Sequence, residues 1–279
     1  MNKTEVFITT YNDPDYLNLV LAGYAHQSDK DFSICIADDG SCCSVGINSI
    51  KLKCNNGTKE FYGCLANLSV ISKYSKILDI NYVWHEDKGF RRSEILNKAV
   101  KSSVADWLVF TDGDCIPHEN FIRDHRALAS DSKIITGPRV DLSLKLTDRF
   151  TGTIHKQSSI NTNKIDMNDF GNVRHTYQSA PLMLALSIFK LCRKAEQMIT
   201  APFIAQTFEK LKNFSGPYGA NMAMAKHHFV DIGGFNENYI TYGGEDIDLL
   251  NRLVVTKKLK PLGHCGKAVI FHLFHEKRG

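Results

Sequence analysis

The alternation in the first half of this chain constrains its fold more than any other feature. Up to about residue 137, short apolar runs alternate with longer mixed segments, the pattern of parallel strands joined by crossover helices. Strands are expected at residues 5–10, 32–37, 81–84, 107–111 and 134–136, with helices at 14–27, 60–75, 93–102 and 118–129. Asp13 is a natural cap for the first helix, and Pro14 falls in its first turn, where the missing N–H costs nothing. From 141 to 213 the periodicity fades into a polar stretch at 158–169 and an apolar one at 180–191. It returns after Gly216 with an apolar run at 220–225, Gly233-Gly234 and Gly243-Gly244 turns, a helix at 245–255 and a strand at 267–271. No internal repeat or low-complexity linker divides the chain. One α/β domain over 1–279 is expected, built from 1–137, a variable insert at 138–215 with an amphipathic helix, and 216–279.

Composition narrows the classes. With 43% hydrophobic residues a sizeable core is available, and 34 Lys+Arg against 30 Asp+Glu leave only +4, which argues against disorder and against a nucleic-acid partner. The strand-like Val6-Phe7-Ile8-Thr9 leaves no room for a cleavable leader, so a cytoplasmic start is expected. On that basis the eight cysteines read as free thiols, and the Asn-x-Ser/Thr triplets at Asn2, Asn56, Asn67 and Asn213 carry no weight. No run approaches the roughly 20 apolar residues that span a bilayer. The stretch at 180–194, with Lys190, Arg193 and Lys194 at its end, reads as a core helix or as an interfacial helix on anionic lipid.

Val109-Phe110-Thr111 runs out into Asp112-Gly113-Asp114. Acids two apart on an extended chain point to one side, and their repulsion is most easily relieved by an oxygen-loving divalent cation, Mg²⁺ or Mn²⁺. The other reading is a solvated Asp-Gly turn. Asp38-Asp39-Gly40-Ser41 follows its strand in the same way, where carboxylates can accept from ribose hydroxyls or a base edge. Lys88-Gly89-Phe90-Arg91-Arg92 opens a helix and reads as a diphosphate site or as a solvated basic turn. Gly243-Gly244-Glu245-Asp246-Ile247-Asp248 places acids in three of four positions at a helix start, more than capping requires, which suggests a base.

Together these segments resemble the family 2 glycosyltransferases of the GT-A fold, a Rossmann-like mixed sheet flanked by helices. The C-terminal third looks like the galactosyltransferase-type region of β-1,4-galactosyltransferases and chondroitin polymerases. The resemblance covers residues 5–137 and 216–275. It implies a nucleotide-sugar donor, UDP by family habit, and a Mn²⁺ or Mg²⁺ cofactor. Asp112 would take the ribose or metal, with Gly113 beside the donor, and Asp114 the metal. Asp39, with Asp38, would take the uracil or ribose end, lined by Thr10 and Tyr11. Gly243 and Gly244 fall in the acceptor region, Glu245 binds the acceptor, and Asp246 is the catalytic base. Phe271-His272-Leu273-Phe274-His275 matches a position where a histidine completes the metal shell; His272 is the first choice, and His275 joins it only if the chain turns at Leu273. Cys115 reads as packing, and Asn97 receives no contact.

The chemistry implied is inverting transfer of a hexose or N-acetylhexosamine to a saccharide acceptor, with Lys88 and Arg91 or Arg92 neutralising the leaving diphosphate. Glu245 and Asp248 are expected to raise the pKa of Asp246 and the helix N-terminus to lower it. A lipid-linked acceptor in surface polysaccharide (O-antigen or capsule) assembly, with peripheral contact at the inner membrane face, is suggested. A Mg²⁺-dependent nucleotidyltransferase and a non-catalytic sugar-binding module are the alternatives.

Overall fold

The computed structural model describes residues 3–42, 46–54, 57–158, 174–199, 219–263 and 266–276. The first strands alternate along their length. Val6 and Ile8 of β1 (Thr4–Thr10), Ile34 and Ile36 of β2 (Ser33–Asp38), and Trp107 and Val109 of β6 (Trp107–Asp112) face one apolar layer. Phe7, Cys35, Ala37, Leu108 and Phe110 face the other, the period-two signature of a sheet covered on both sides. The first layer is closed by α1 (Pro14–Ala25) and α2 (Leu65–Tyr74), the second by α3 (Arg92–Ser102) and by a helix near the C-terminus. Asp13 does cap α1, accepting from the Tyr16 N–H at 3.2 Å.

The large sheet has seven strands in the order β12-β8-β11-β6-β1-β2-β5. β5 is Ile80–Trp84, β8 Lys133–Thr136, β11 Asn221–Ala225 and β12 Lys260–Gly263. β6, β1, β2 and β5 run parallel, whereas β11 is antiparallel to both β6 and β8, so the sheet is mixed. Thr10, Asp38 and Asp112 therefore end at one edge, where Asn221 begins β11 opposite Thr111. A four-stranded sheet, β10-β9-β13-β7, sits at that edge. In it β7 (Cys115–Pro117) pairs antiparallel with β13 (Ile270–His272), and β13 runs parallel to β9 (Arg139–Leu142), which also pairs with β10 (Cys192–Arg193). Asn221 ties the two sheets. Fully buried, it donates to the carbonyls of Ala268 at 2.7 Å and Pro138 at 3.2 Å, and its side-chain oxygen meets His125 Nε2 at 3.0 Å.

Several expectations shift. The helix expected at 60–75 starts at Leu65, because its first residues belong to a hairpin of β3 (Ile47–Cys54) and β4 (Gly57–Cys64). There Phe61 turns inward, edge-on to Tyr82, while Tyr62 turns out, a strand period rather than a helical one. The helix expected at 118–129 shrinks to α4 (Phe121–Leu128), and the last strand moves to Ile270–His272 to match the register of β7. The unread middle holds β9, α5 (Leu144–Ser158), α6 (Ala180–Ile188) and β10. α6 buries Met183 and ends before Lys190, leaving Ile188 79% and Phe189 74% exposed. Two further helices complete the described chain, α7 (Lys226–Asp231) and α8 (Glu245–Lys257), the latter being the one that closes the second layer. No described helix is long and apolar enough to cross a membrane. Cysteines 35, 42, 54, 64, 115 and 192 are free thiols; Cys43 and Cys265, with Asn2, Asn56, Asn213, Gly216 and residues 159–169, lie outside the described residues.

Candidate active site

The strand-end acids and the α8 acids come together through one guanidinium. Arg92, at the first turn of α3, donates through Nη2 to Asp112 Oδ1 at 2.9 Å and to the Gly219 carbonyl at 3.2 Å. Its Nη1 donates to Asp246 Oδ1 at 2.9 Å and lies 3.5 Å from Glu245 Oε1. Sequence reasoning placed Arg92 on the donor diphosphate. The structure buries it among three carboxylates instead, and although burial disfavours its charge, Asp246, Asp112 and Glu245 raise its pKa. Asp112 is fixed from its other side by Thr9 Oγ1, which donates at 2.9 Å.

Asp246 stands at the N-terminus of α8, after Gly243 and Gly244 with φ of 97° and 102°, values that favour glycine. Burial raises its pKa, the Arg92 cation works against that, and Asp112 adds to it. Asp248, expected to push on Asp246, is instead held by Arg252 at 2.7 Å on the same helix. Glu245 is buried with its pKa also raised, by burial first and then by Asp246. Gly219 packs directly against this carboxylate: a β-carbon there would collide with Asp246 Oδ2.

Asp114 lies just past the end of β6, where the β7–β13 register brings the C-terminal segment alongside. Leu273 N–H donates to the Asp114 carbonyl at 2.9 Å, extending the β7–β13 pairing by one residue. Asp114 Oδ2 is 3.1 Å from His275 Nε2 and 3.6 Å from His272 Nε2, so both histidines reach the same oxygen. Burial would raise the Asp114 pKa, but the His275 bond and the two imidazoles bring it down to about 2. Asp112, Asp114 and Cys115 offer a second set of donor atoms within 4.8 Å of one another. A mixed set of carboxylate oxygens and imidazole nitrogens suits Mn²⁺, and separations of this size match the roughly 3 Å edge of an octahedron with bonds near 2.1 Å. The Cys115 thiol is fully buried, donates to Asp114 Oδ1 at 3.2 Å, and has its pKa pushed up by burial. It packs, as its burial in an apolar layer dictates. Gly113 keeps the spacing of the pair: its N–H donates to the Thr9 carbonyl at 2.7 Å, and a β-carbon would come within 2.8 Å of that oxygen.

The first acid pair separates. Asp38 is fully buried, accepting from Ser41 N at 2.8 Å, Asn67 Nδ2 at 2.7 Å and the Tyr82 hydroxyl at 2.5 Å. It holds the loop after β2 and does not reach the cleft, contrary to its expected donor role. Asp39 accepts from the Arg91 N–H at 3.0 Å and meets His85 Nε2 at 2.8 Å, while its own N–H donates to the Thr10 carbonyl. The Arg91 guanidinium folds onto the Phe90 carbonyl at 2.8 Å. The Tyr11 hydroxyl donates to Asp87 at 2.9 Å, and Lys88 is exposed beside it.

Three participants were missed. His85 follows β5 at the same sheet edge as the acids, a placement the strand pattern could have signalled. Arg139, whose pKa is raised by the acids around it against its burial, lies in the segment that carried no readable period. Asn97 clamps the Gly-Gly-Phe turn, donating to the Phe235 carbonyl at 2.9 Å and accepting from the Phe235 N–H at 2.9 Å.

A sequence-family profile described as "N-terminal domain of galactosyltransferase" matches residues 203–276. A hyaluronan synthase of Pasteurella multocida is 26% identical over 258 residues, covering 89% of this chain and 22% of that protein. The chain thus spans about a fifth of that curated relative's length. Among solved structures, the mannosyltransferase PcManGT from Pyrobaculum calidifontis, in complex with GDP-Man and Mn²⁺, superposes with TM-score 0.55 at 14% identity, covering 99% of this chain and 58% of that one. The 1–349 segment of S. aureus TarS in complex with UDP-GlcNAc gives TM-score 0.56 at 13% identity, with 99% and 60% coverage. At such identities these two structures speak for the fold alone. Fold and sequence likeness together place the chain with proteins of the GT-A fold, and these relatives in sequence and structure are glycosyltransferases. Within that likeness, residues 203–276 are similar to a galactosyltransferase domain and the chain as a whole to a hyaluronan synthase.

Proposed function

We propose that this chain transfers a hexose or N-acetylhexosamine from a nucleotide sugar, with UDP favoured, to a hydroxyl of a saccharide acceptor by one inverting displacement. The observation that carries this reading is the bridge from Asp112 through Arg92 to Asp246, which sets a candidate base beside the acids of the donor end. Asp246 takes the proton of the acceptor hydroxyl as that oxygen attacks the anomeric carbon and the bond to the nucleoside diphosphate breaks on the opposite face. A pKa raised by burial makes it a better base than an exposed aspartate. Arg92 holds its carboxylate in place. Asp39 with His85 faces the nucleoside, Lys88 and Arg91 lie toward the diphosphate, and Glu245 with Gly243 and Gly244 lines the acceptor side.

Asp114, His272 and His275, with Asp112 alongside, would hold a divalent cation, Mn²⁺ or Mg²⁺, which offsets charge on the departing diphosphate. The solved complexes of TarS with UDP-GlcNAc and of PcManGT with GDP-Man and Mn²⁺ support a nucleotide-sugar donor and a metal. We assign the acceptor to the lipid-linked saccharides of surface polysaccharide assembly, at the cytoplasmic membrane face. The exposed Ile188 and Phe189, followed by Lys190, support that assignment, as an apolar tip next to a cation suits anionic lipid, while Arg193 and Lys194 pair with Asp141.

The test is a panel of UDP- and GDP-sugars incubated with saccharide acceptors, with Mn²⁺ or with a chelator. Nucleoside diphosphate release that needs one sugar, an acceptor and the metal is expected. Release of pyrophosphate, or saturable saccharide binding indifferent to nucleotide, would overturn the reading.

A further inference from the structure

At the end of the sheet opposite the candidate active site, Asp131 precedes β8, and His227 and His228 open α7 directly after β11. The antiparallel pairing of β11 with β6 and β8 brings these two points of the chain together. Asp131 Oδ1 lies 3.1 Å from His227 Nε2 and 3.4 Å from His228 Nε2, and the two imidazole centroids are 4.0 Å apart. Donors bound to one tetrahedral ion at about 2.0–2.2 Å stand roughly 3.3–3.5 Å from each other, so the spacing is already that of a shared first coordination sphere. The neighbouring lysines are drawn away. Lys226 Nζ donates to the Ser103 carbonyl at 2.7 Å, and Lys257 pairs with Asp231 at 2.7 Å. Both Asp131 and His227 are more than half exposed, so an ion can enter from solvent.

We infer that Asp131, His227 and His228 form a second metal site, for a transition ion of intermediate softness such as Zn²⁺, separate from the acids at the catalytic edge. Two imidazoles and a single carboxylate, without the second carboxylate that Asp112 adds at the catalytic edge, favour Zn²⁺ over the harder Mg²⁺. Ala225, just before the site, pairs with Trp107 at the start of β6, whereas Asp112 ends that strand, about five residues or roughly 16 Å away. One ion cannot serve both. His228 Nε2 now shares a proton with the Asp131 carbonyl at 2.7 Å. Binding moves that proton to Nδ1, which is buried and lacks a hydrogen-bond partner, and this limits the affinity to the micromolar range, roughly 1–100 μM. The ion would pin α7 to the turn before β8 and brace the far end of the sheet. This inference does not depend on the proposed transfer activity.

The experiment is Zn²⁺ stoichiometry by competition with a chromophoric chelator at about pH 7.5, where imidazoles are mostly neutral. It compares the unaltered chain with a His227→Ala/His228→Ala variant. One fewer Zn²⁺ in the variant is expected, with Mn²⁺-supported transfer unchanged. In an Asp114→Asn/His272→Ala/His275→Ala protein, Zn²⁺ should still raise the melting temperature, and Mg²⁺ should not. Equal stoichiometry in the first pair, including none in either protein, would overturn the inference. So would a Zn²⁺-induced rise in melting temperature that, in the Asp114→Asn/His272→Ala/His275→Ala background, survives the further loss of His227 and His228.

Discussion

Asp38-Asp39 and Asp112-Gly113-Asp114 end the two strands that flank β1, yet they do different work. Neighbouring residues of an extended chain point to opposite sides, so only one acid of the adjacent pair can reach the Ser41–Asn67–Tyr82 cluster. Asp38 does, and three donors from Ser41, Asn67 and Tyr82 make its burial tolerable. The intervening glycine lets Asp112 and Asp114 share a side, where histidines and a guanidinium meet them. The same composition gives a structural brace at one strand end and a candidate ligand set at the other, and the spacing decides which.

The largest effects should fall on the spaced pair and its partner. Asp114→Ala is expected to abolish metal-dependent donor binding and to cut transfer by about a thousandfold or more, whereas Asp246→Asn should lose turnover to a similar degree while donor binding survives. Isothermal titration with donor and metal, beside turnover, separates the two, and the reverse pattern would break the assignment. Next comes Gly219→Ala, whose β-carbon would displace the Asp246 carboxylate. A loss of about a hundredfold in kcat at unchanged donor affinity is expected.

The adjacent pair should divide along another line. Asp38→Ala strands three buried donors and should cost about 3–5 kcal/mol in urea unfolding. Asp39→Ala frees fewer donors and should cost less, about 1–2 kcal/mol, while raising the donor KM about tenfold. If both variants moved stability alone, the contrast would fail. The smallest change is expected from Arg92→Lys, which swaps a two-pronged donor for a point charge. Arg92 holds the Asp246 pKa down, so weakening that contact raises it further. Because the base works deprotonated, the acid limb of the kcat profile should move to higher pH, by less than about one unit.

Much of the sheet could be read from the chain because its evidence is local. β1, β2, β5, β6 and β8 show unbroken apolar runs, and Asp13-Pro14 marks a helix start whatever packs around it. Asp112, Asp114 and Asp246 were legible as acids in excess of what turns and caps require. What could not be read depends on pairing across long separations. That both His272 and His275 reach Asp114 follows from the register of β13 on β7, which no local pattern announces. That Arg92 serves carboxylates rather than phosphate follows from α8 packing beside α3, 154 positions along the chain. The β3–β4 hairpin was hidden because its exposed face carries lysines and a glutamate as a solvated helix would.

The buried amide of Asn221 binds Ala268, His125 and Pro138 at once, and the imidazoles of the candidate site follow only a few residues beyond Ala268. During synthesis, the central strands and their helices can assemble while residues 268–275 are still inside the ribosome. A nascent chain can therefore own its sheet before His272 and His275 reach Asp114, and the candidate site is completed by the docking of a late-arriving strap rather than by formation of the core.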